Sequence, residues 1–488
     1  MTTIASAILP DSVRTPQYDR SRLASRIVHF GFGAFHRAHQ ALLTDRVLNA
    51  QGGDWGICEI SLFSGDRLMS QLRAQDHLYT VLEKGANGNQ AIVIGAVHEC
   101  LNAKLDSLTA IIEKFCEPQV AIVSLTITEK GYCIDPATGT LDLTHPRIRH
   151  DIDSPDEPHS APGILVEALS RRRERGLLPF TVLSCDNIPD NGHVVKNAVL
   201  GMAEKRDPAL AMWIREHVSF PGTMVDRIVP AATDETLDEI SRALGVADPC
   251  GISCEPFIQW VIEDRFVAGR PAWETAGVQL VTDVRPWEEM KLRMLNGSHS
   301  FLAYLGYLSG FQHISECMHD EAFREAAYQL MMREQAPTLS ITDVDLQRYA
   351  GSLIARFANP ALKHKTWQIA MDGSQKLPQR MLAGVRIHLE RGSAWPLLAL
   401  GIAGWMRYVC GVDDAGAPID VRDPLSDKIR LLVANVGENE KVANLLTLQE
   451  VFGSDLPKNP AFVQAIKTAW QHLARHGAHQ AVISTLKI

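Results

Sequence analysis

"RIVHFGFGAFHRAHQALL", residues 26–43, is the stretch on which the fold turns. It reads as a β-rich apolar run (26–30), a turn at Gly31-Phe32-Gly33, and a helix start at Ala34-Phe35-His36. A strand that runs straight into Gly-x-Gly and a helix lets backbone N–H groups and the positive helix end face a pyrophosphate with no Cβ in the way. Gly-x-Gly alone is equally a tight turn, and His36 stands where the dinucleotide fingerprint has its third glycine. The acidic residue expected about 20 residues further on has two candidates. Glu59 falls inside the next strand, whereas Asp66 falls just past its end, where a ribose diol is reached. Asp66 is the better placed, and a carboxylate there favours NAD over NADP by repelling a 2′-phosphate.

Working outward, short β-rich runs alternate with amphipathic segments through the first half: "WGICEISLF" (55–63), "AIVIGAV" (91–97), "VAIVSLTIT" (120–128) and "FTVLSCD" (180–186). Such alternation predicts βαβ units and a mostly parallel sheet. After about residue 284 the apolar spacing becomes helical throughout, with Pro271, Gly277 and Pro286 punctuating the join. The expectation is an α/β chain: a Rossmann-type dinucleotide-binding domain over 1–284 and a mainly α-helical substrate-binding and catalytic domain over 285–488.

Composition excludes several classes. Lys and Arg total 48 against 57 for Asp and Glu, a net charge of -9 that gives no pull toward nucleic acid. The nine cysteines are an odd number with no CxxC pair, which predicts reduced thiols and a cytoplasmic location rather than a disulfide framework or zinc cage. The first twenty residues lack the apolar core of a signal peptide. "AWPLLALGIAGW" (394–405) is far shorter than the roughly 20 residues that span a bilayer and reads as a buried helix, with Ser393 as N-cap. No metal site is expected, since neither HExxH nor clustered Cys/His spacing occurs.

Two further stretches carry chemistry. On an ideal helix in "KLRMLNGSHSFLAYL", Lys291, His299 and Asn296 fall at about 0°, 80° and 140°, so all three can face one cleft, although a solvated polar stripe has the same pattern. Gly297 costs helix stability there, tolerable where a backbone or ligand comes close. "SCDNIPDNG" sets Asp186 and Asn187 at the end of a β-rich run, the rim where open α/β sheets bind ligands, while also being rich in turn formers. None of the eight tyrosines has Lys four residues on, so the Tyr-x-x-x-Lys route to hydride chemistry is closed and a lysine is left as acid/base.

"GFGAFHRAHQA", "SLTITEKGY", "SCDNIPDNG", "TMVDRIVPAAT" and "MKLRMLNGSHSFLAYLG" together resemble the polyol-specific long-chain dehydrogenases, the mannitol dehydrogenase family. "DRIVPAATDET", "CEPFIQWVIED", "TWQIAMDGSQKLPQR" and "GWMRYVCGVDD" are similar to its uronate branch. The resemblance spans essentially the whole chain. It implies NAD-dependent, metal-free hydride transfer between a keto-uronate and an aldonate of the D-fructuronate/D-mannonate kind. Lys291 would be the acid/base, Asn187 and Asn296 would hold the reacting oxygen, and His299 would orient the substrate. Asp226 would support the substrate site and Glu288 would gate proton passage. Polyol-oxidising relatives carry an arginine near 366–380, where this chain has Trp367-Gln368. Lys376 and Arg380 are then the candidates for a substrate carboxylate, unless they are surface residues. Oxidation of a neutral polyol such as mannitol or arabinitol is the alternative within the enzyme class, and a non-catalytic nicotinamide-binding sensor the alternative outside it.

Overall fold

The computed structural model describes every residue except Met1, Phe63, Pro136, Ala137, Asp343 and Ile488, and the backbone alone of Asn439. The chain divides into two compact units, Met1–Arg285 and Pro286–Ile488.

Among the described residues the first unit holds eleven strands: β1 (Ala24–Phe30), β2 (Trp55–Ser61), β3 (Tyr79–Gly85), β4 (Gly88–Ile94), β5 (Val97–Asn102), β6 (Ile122–Leu125), β7 (Thr181–Ser184), β8 (Thr223–Asp226), β9 (Ile252–Cys254), β10 (Gln259–Glu263) and β11 (Gln279–Val281). Five make the main sheet in the order β5-β2-β1-β6-β7, every pair parallel. This is the Rossmann-type sheet expected from the β-α alternation. Its strands are apolar on both sides because helices cover both faces: Ile27, Ile57 and Ile122 enter one core and Val28, Ile60 and Val123 another.

The run 91–97 is not one strand. Ala91–Ile94 ends β4, which pairs antiparallel with β3 in a separate small sheet, and Val97 begins β5 of the main sheet. The chain changes sheet at Gly95, where an added Cβ would meet Pro16 Cγ at 2.6 Å. β2 stops at Ser61, and Phe63 at the end of the expected strand lies outside the described residues.

The helix Arg285–Met290, which belongs to the second unit from Pro286 on, passes without a break into a π-helical stretch, Lys291–Gly297, and then into the α-helix Ser298–Leu308. The apolar segment forms the buried helix Pro396–Val409. Its Gly401 and Gly404 are close-approach points, since added Cβ atoms would meet Phe301 at 3.0 Å and Leu305 at 2.7 Å. Ser393 does not cap it; Ser393 Oγ lies 2.7 Å from His388 Nδ1. The cap comes from afar instead, as the buried Glu334 carboxylate accepts from Leu397 N at 2.8 Å and Leu398 N at 2.7 Å. A negative charge on those orphan donors also suits the helix dipole.

Candidate functional site

In the main sheet the chain winds outward from β1 to β2 and β5, then crosses to β6 and β7, so β1 and β6 flank the topological switch point where such sheets bind ligands. Gly31 follows β1 there with φ +103°, and an added Cβ would sit 2.4 Å from the Thr126 carbonyl oxygen. Only glycine fits. The Gly31 carbonyl accepts from Gly33 N at 2.6 Å and Thr126 Oγ1 at 3.0 Å. Gly33 is exposed and precedes the helix Ala34–Ala38, whose first turn carries no acidic residue. With the N–H groups of Gly31 and Gly33 donating to the Ile60 and Gly31 carbonyls, the orphan N–H groups of the helix start behind an exposed glycine form a donor set suited to a pyrophosphate.

Side chains of this turn behave differently from its backbone. Phe32 is buried edge-on against Tyr79, with ring centroids 5.6 Å apart, and Phe35 stacks on His39 at 4.7 Å. The His36 side chain, expected among the cofactor contacts, is completely buried instead. Its ring stacks on His29 at 3.4 Å and its Nε2 lies 2.6 Å from Glu59 Oε1. Burial holds both imidazoles well below the usual histidine range and raises the Glu59 carboxyl to about 7. Ligand atoms of His29, His36 and Glu59 lie within 4.8 Å of one another, but the imidazoles are stacked, so their in-plane lone pairs do not converge on one ion. Asp66 opens the helix Asp66–Ala74 behind a left-handed Gly65, and its Oδ1 is 3.3 Å from Lys104 Nζ.

On the rim after β7, the buried Asp186 carboxylate gathers the segment after β6. It accepts from Ile127 N at 3.1 Å, Thr128 N at 2.9 Å and Tyr132 OH at 2.5 Å. The next residue, Asn187, is exposed. Buried Asn191 ties this loop to β8: its Nδ2 donates to the Asp186 and Thr223 carbonyls at 3.0 and 2.9 Å, and its Oδ1 accepts from Thr223 N. At the far end of β8 sits buried Asp226. Thr126, His29 and Asn191 hold these loops together through their side chains, and each lies inside a motif already singled out.

In the second unit, Glu288, Lys291, Asn296 and His299 share one continuous helical segment. The π-turn changes the angular spacing, because its wider turns advance less per residue than an α-helix. Lys291 is buried and Asn296 half-buried. His299 packs its ring on Phe357 at 5.1 Å and His364 at 5.2 Å, and its sequestered Nε2 has no hydrogen-bond partner among the described residues. Burial, then His364, Arg380, Arg356 and Lys376, hold His299 neutral, well below its ordinary pKa. Gly297 is required for close approach: an added Cβ would be 2.4 Å from Gln335 Nε2 and 2.7 Å from the Arg380 carbonyl. Arg380 braces the helix, its NH1 donating to Ser300 Oγ at 3.0 Å and the Asn296 carbonyl at 3.4 Å. Lys376 Nζ donates to the carbonyls of Ile369 at 3.2 Å and Met371 at 2.6 Å. Burial and then Arg380 push Lys376 down to about 8.

The sequence matches the mannitol dehydrogenase Rossmann domain over residues 25–275 and the mannitol dehydrogenase C-terminal domain over 283–474. An Escherichia coli (strain K12) chain described as uncharacterized oxidoreductase YeiQ is 80% identical over the full length of both. D-mannonate oxidoreductase of the same strain is 57% identical over 99% of each chain. Among solved structures, Pseudomonas fluorescens mannitol 2-dehydrogenase in ternary complex with NAD and D-mannitol superposes with a TM-score of 0.82, at 39% identity over 98% of both chains. With both domain descriptions met in order, the chain belongs to the mannitol dehydrogenase family of oxidoreductases.

Proposed function

We propose that this chain is an NAD-dependent oxidoreductase that interconverts a keto-uronate and an aldonate of the D-fructuronate/D-mannonate type. The observation that carries the substrate class is the cationic lining beside the helix of Asn296 and His299. Among the described residues, neither Lys376 nor Arg380 has a carboxylate within ion-pairing distance; their partners are carbonyls and a hydroxyl. Partly buried cations whose direct partners are neutral suit an anionic ligand better than a neutral polyol, with the Asp372 and Asp423 carboxylates acting on Lys376 only at longer range. The 57% identity to D-mannonate oxidoreductase supports the same substrate class.

The turn Gly31–His36 would hold the dinucleotide pyrophosphate by its N–H groups, and Asp66 would accept from the ribose hydroxyls. The mannitol 2-dehydrogenase complex with NAD supports that choice of cofactor. Bound there, the nicotinamide would supply or accept the hydride. As a ketone is reduced its oxygen becomes negative, and the carboxamides of Asn187 and Asn296 are the donors proposed to stabilise it. Lys291 gives that oxygen its proton, and takes it back in the direction of oxidation. Held neutral, His299 can donate or accept a single hydrogen bond to a substrate hydroxyl without adding charge. Asp226 and Glu288 are assigned to supporting the substrate and passing the proton. Lys376 and Arg380 take the carboxylate.

The test follows NADH oxidation with D-fructuronate, D-tagaturonate and D-fructose in parallel, then with NADPH. Turnover on a keto-uronate with NADH is the expected result. Turnover on fructose alone indicates a polyol dehydrogenase, and NADH binding without turnover on any of the three indicates a sensor.

A further inference from the structure

The fingerprint's third glycine lets a helix pack closely on its strand; here His36 occupies that place, and its imidazole lies flat on His29 of β1 at 3.4 Å. Resting on the reading of this turn as the dinucleotide site, we propose that His36 and Glu59 are positioning residues for the cofactor: the buried imidazole–carboxyl pair, backed by the His29 ring, sets the helix-to-strand spacing and so aims the N–H groups that receive the pyrophosphate.

The connections are continuous. Glu59 Oε1 of β2 meets His36 Nε2 at 2.6 Å, and His36 stacks on His29. His29 Nδ1 lies 2.7 Å from Ser124 Oγ of β6, which donates to Gln40 Oε1 at 2.8 Å. His29 Nε2 reaches the Gly31 carbonyl at 3.1 Å and Thr126 Oγ1 at 2.9 Å. The carbonyl of the turn is therefore tied through two rings to a carboxyl in the neighbouring strand.

Stability does not account for this arrangement. Glu59 Oε2 is buried with no hydrogen-bond partner among the described residues, and an unsatisfied buried polar group destabilises a fold where an apolar filling of the same shape would not. The pair also brings a titratable charge under the turn. The groups facing Glu59 are His29 from β1, His36 and Arg37 from the helix, Tyr79 from β3, Cys100 from β5 and Cys58 on its own strand. Its carboxyl, raised by burial to about 7, adds a negative charge beneath the pyrophosphate as pH rises past that value. Cofactor affinity then falls with rising pH, by about tenfold for each unit by which the bound cofactor raises the Glu59 pKa.

The experiment measures NADH dissociation constants by fluorescence from pH 5.5 to 8.5 for the wild type, Glu59→Gln and His36→Ala, with thermal melts alongside. Expected are a wild-type affinity that weakens through about pH 7, a flat profile for Glu59→Gln, and a several-fold weaker affinity for His36→Ala. Glu59→Gln is near-isosteric and should melt no lower than the wild type at pH 8, so folding failure is not expected to obscure it. A wild-type slope retained in Glu59→Gln, or unaltered affinity in His36→Ala, overturns the inference while leaving the turn as a dinucleotide site. A wild type that binds no NADH overturns the function proposed above and this inference with it.

Discussion

Replacing Lys376 by methionine separates recognition of an acid from recognition of a sugar. Burial and Arg380 bring the ammonium from 10.5 down to about 8, a shift that corresponds to about 3 kcal/mol before solvent screening and about 1–2 kcal/mol after it. A bound carboxylate would recover that penalty, so Lys376→Met should raise KM for fructuronate by about 5–30-fold while KM for fructose stays within about twofold. The sign of the pH effect follows from the same shift. A lysine depressed in the native state loses its proton above about pH 8, so fructuronate KM rises through that pH in the wild type and not in the variant. Wild-type stability should increase between about 8 and 10.5 as the buried charge disappears. Steady-state NADH oxidation over about pH 6.5–9.5 with both substrates measures the KM effects, and thermal melts through the range above about pH 8 measure the stability effect. Equal losses on fructuronate and fructose, or a wild-type pH profile that survives in the variant, would refute the reasoning.

Three further substitutions probe the other parts. Lys291→Ala should lose most turnover, on the order of 100-fold or more, with NADH affinity unchanged by fluorescence titration; near-normal kcat would remove the lysine from the chemistry. Gly31→Ala forces a Cβ onto the Thr126 carbonyl at a positive φ and should cost about 2–4 kcal/mol in urea unfolding together with NADH binding; a variant as stable as the wild type contradicts the geometry of the turn. Gly297→Ala pushes against Gln335 and the Arg380 carbonyl and should cost about 1–3 kcal/mol and lower kcat more than it alters NADH affinity, which rapid-mixing and equilibrium titration distinguish.

The parallel sheet was legible because its signals are local. β1, β2, β6 and β7 are β-rich runs bounded by turn formers, and Gly31 carries its own reason for being glycine. Gly297 was legible in the same way, as an unfavourable residue that implies a close neighbour, and the Arg380 backbone is that neighbour. What escaped depends on distant partners. The N-cap of Pro396–Val409 is supplied by Glu334, sixty-odd residues earlier, so the nearby Ser393 was a misleading choice. The break of 91–97 at Gly95 is set by Pro16 and by a second sheet that local alternation cannot announce. The inward turn of His36 depends on Glu59, which a fingerprint search weighs only as a ribose ligand. The π-turn at Lys291–Gly297 leaves no signature in apolar spacing, because one extra residue per turn is absorbed within an already apolar face.

The central claim is that a lysine acid/base and a cationic subsite make this chain act on a keto acid. Its most direct measurement is the ratio of kcat/KM for D-fructuronate to that for D-fructose with NADH in the intact protein. The account predicts a ratio of about 100 or more, from two charge-assisted contacts worth roughly 1.5–3 kcal/mol each before losses. A ratio at or below one would contradict it.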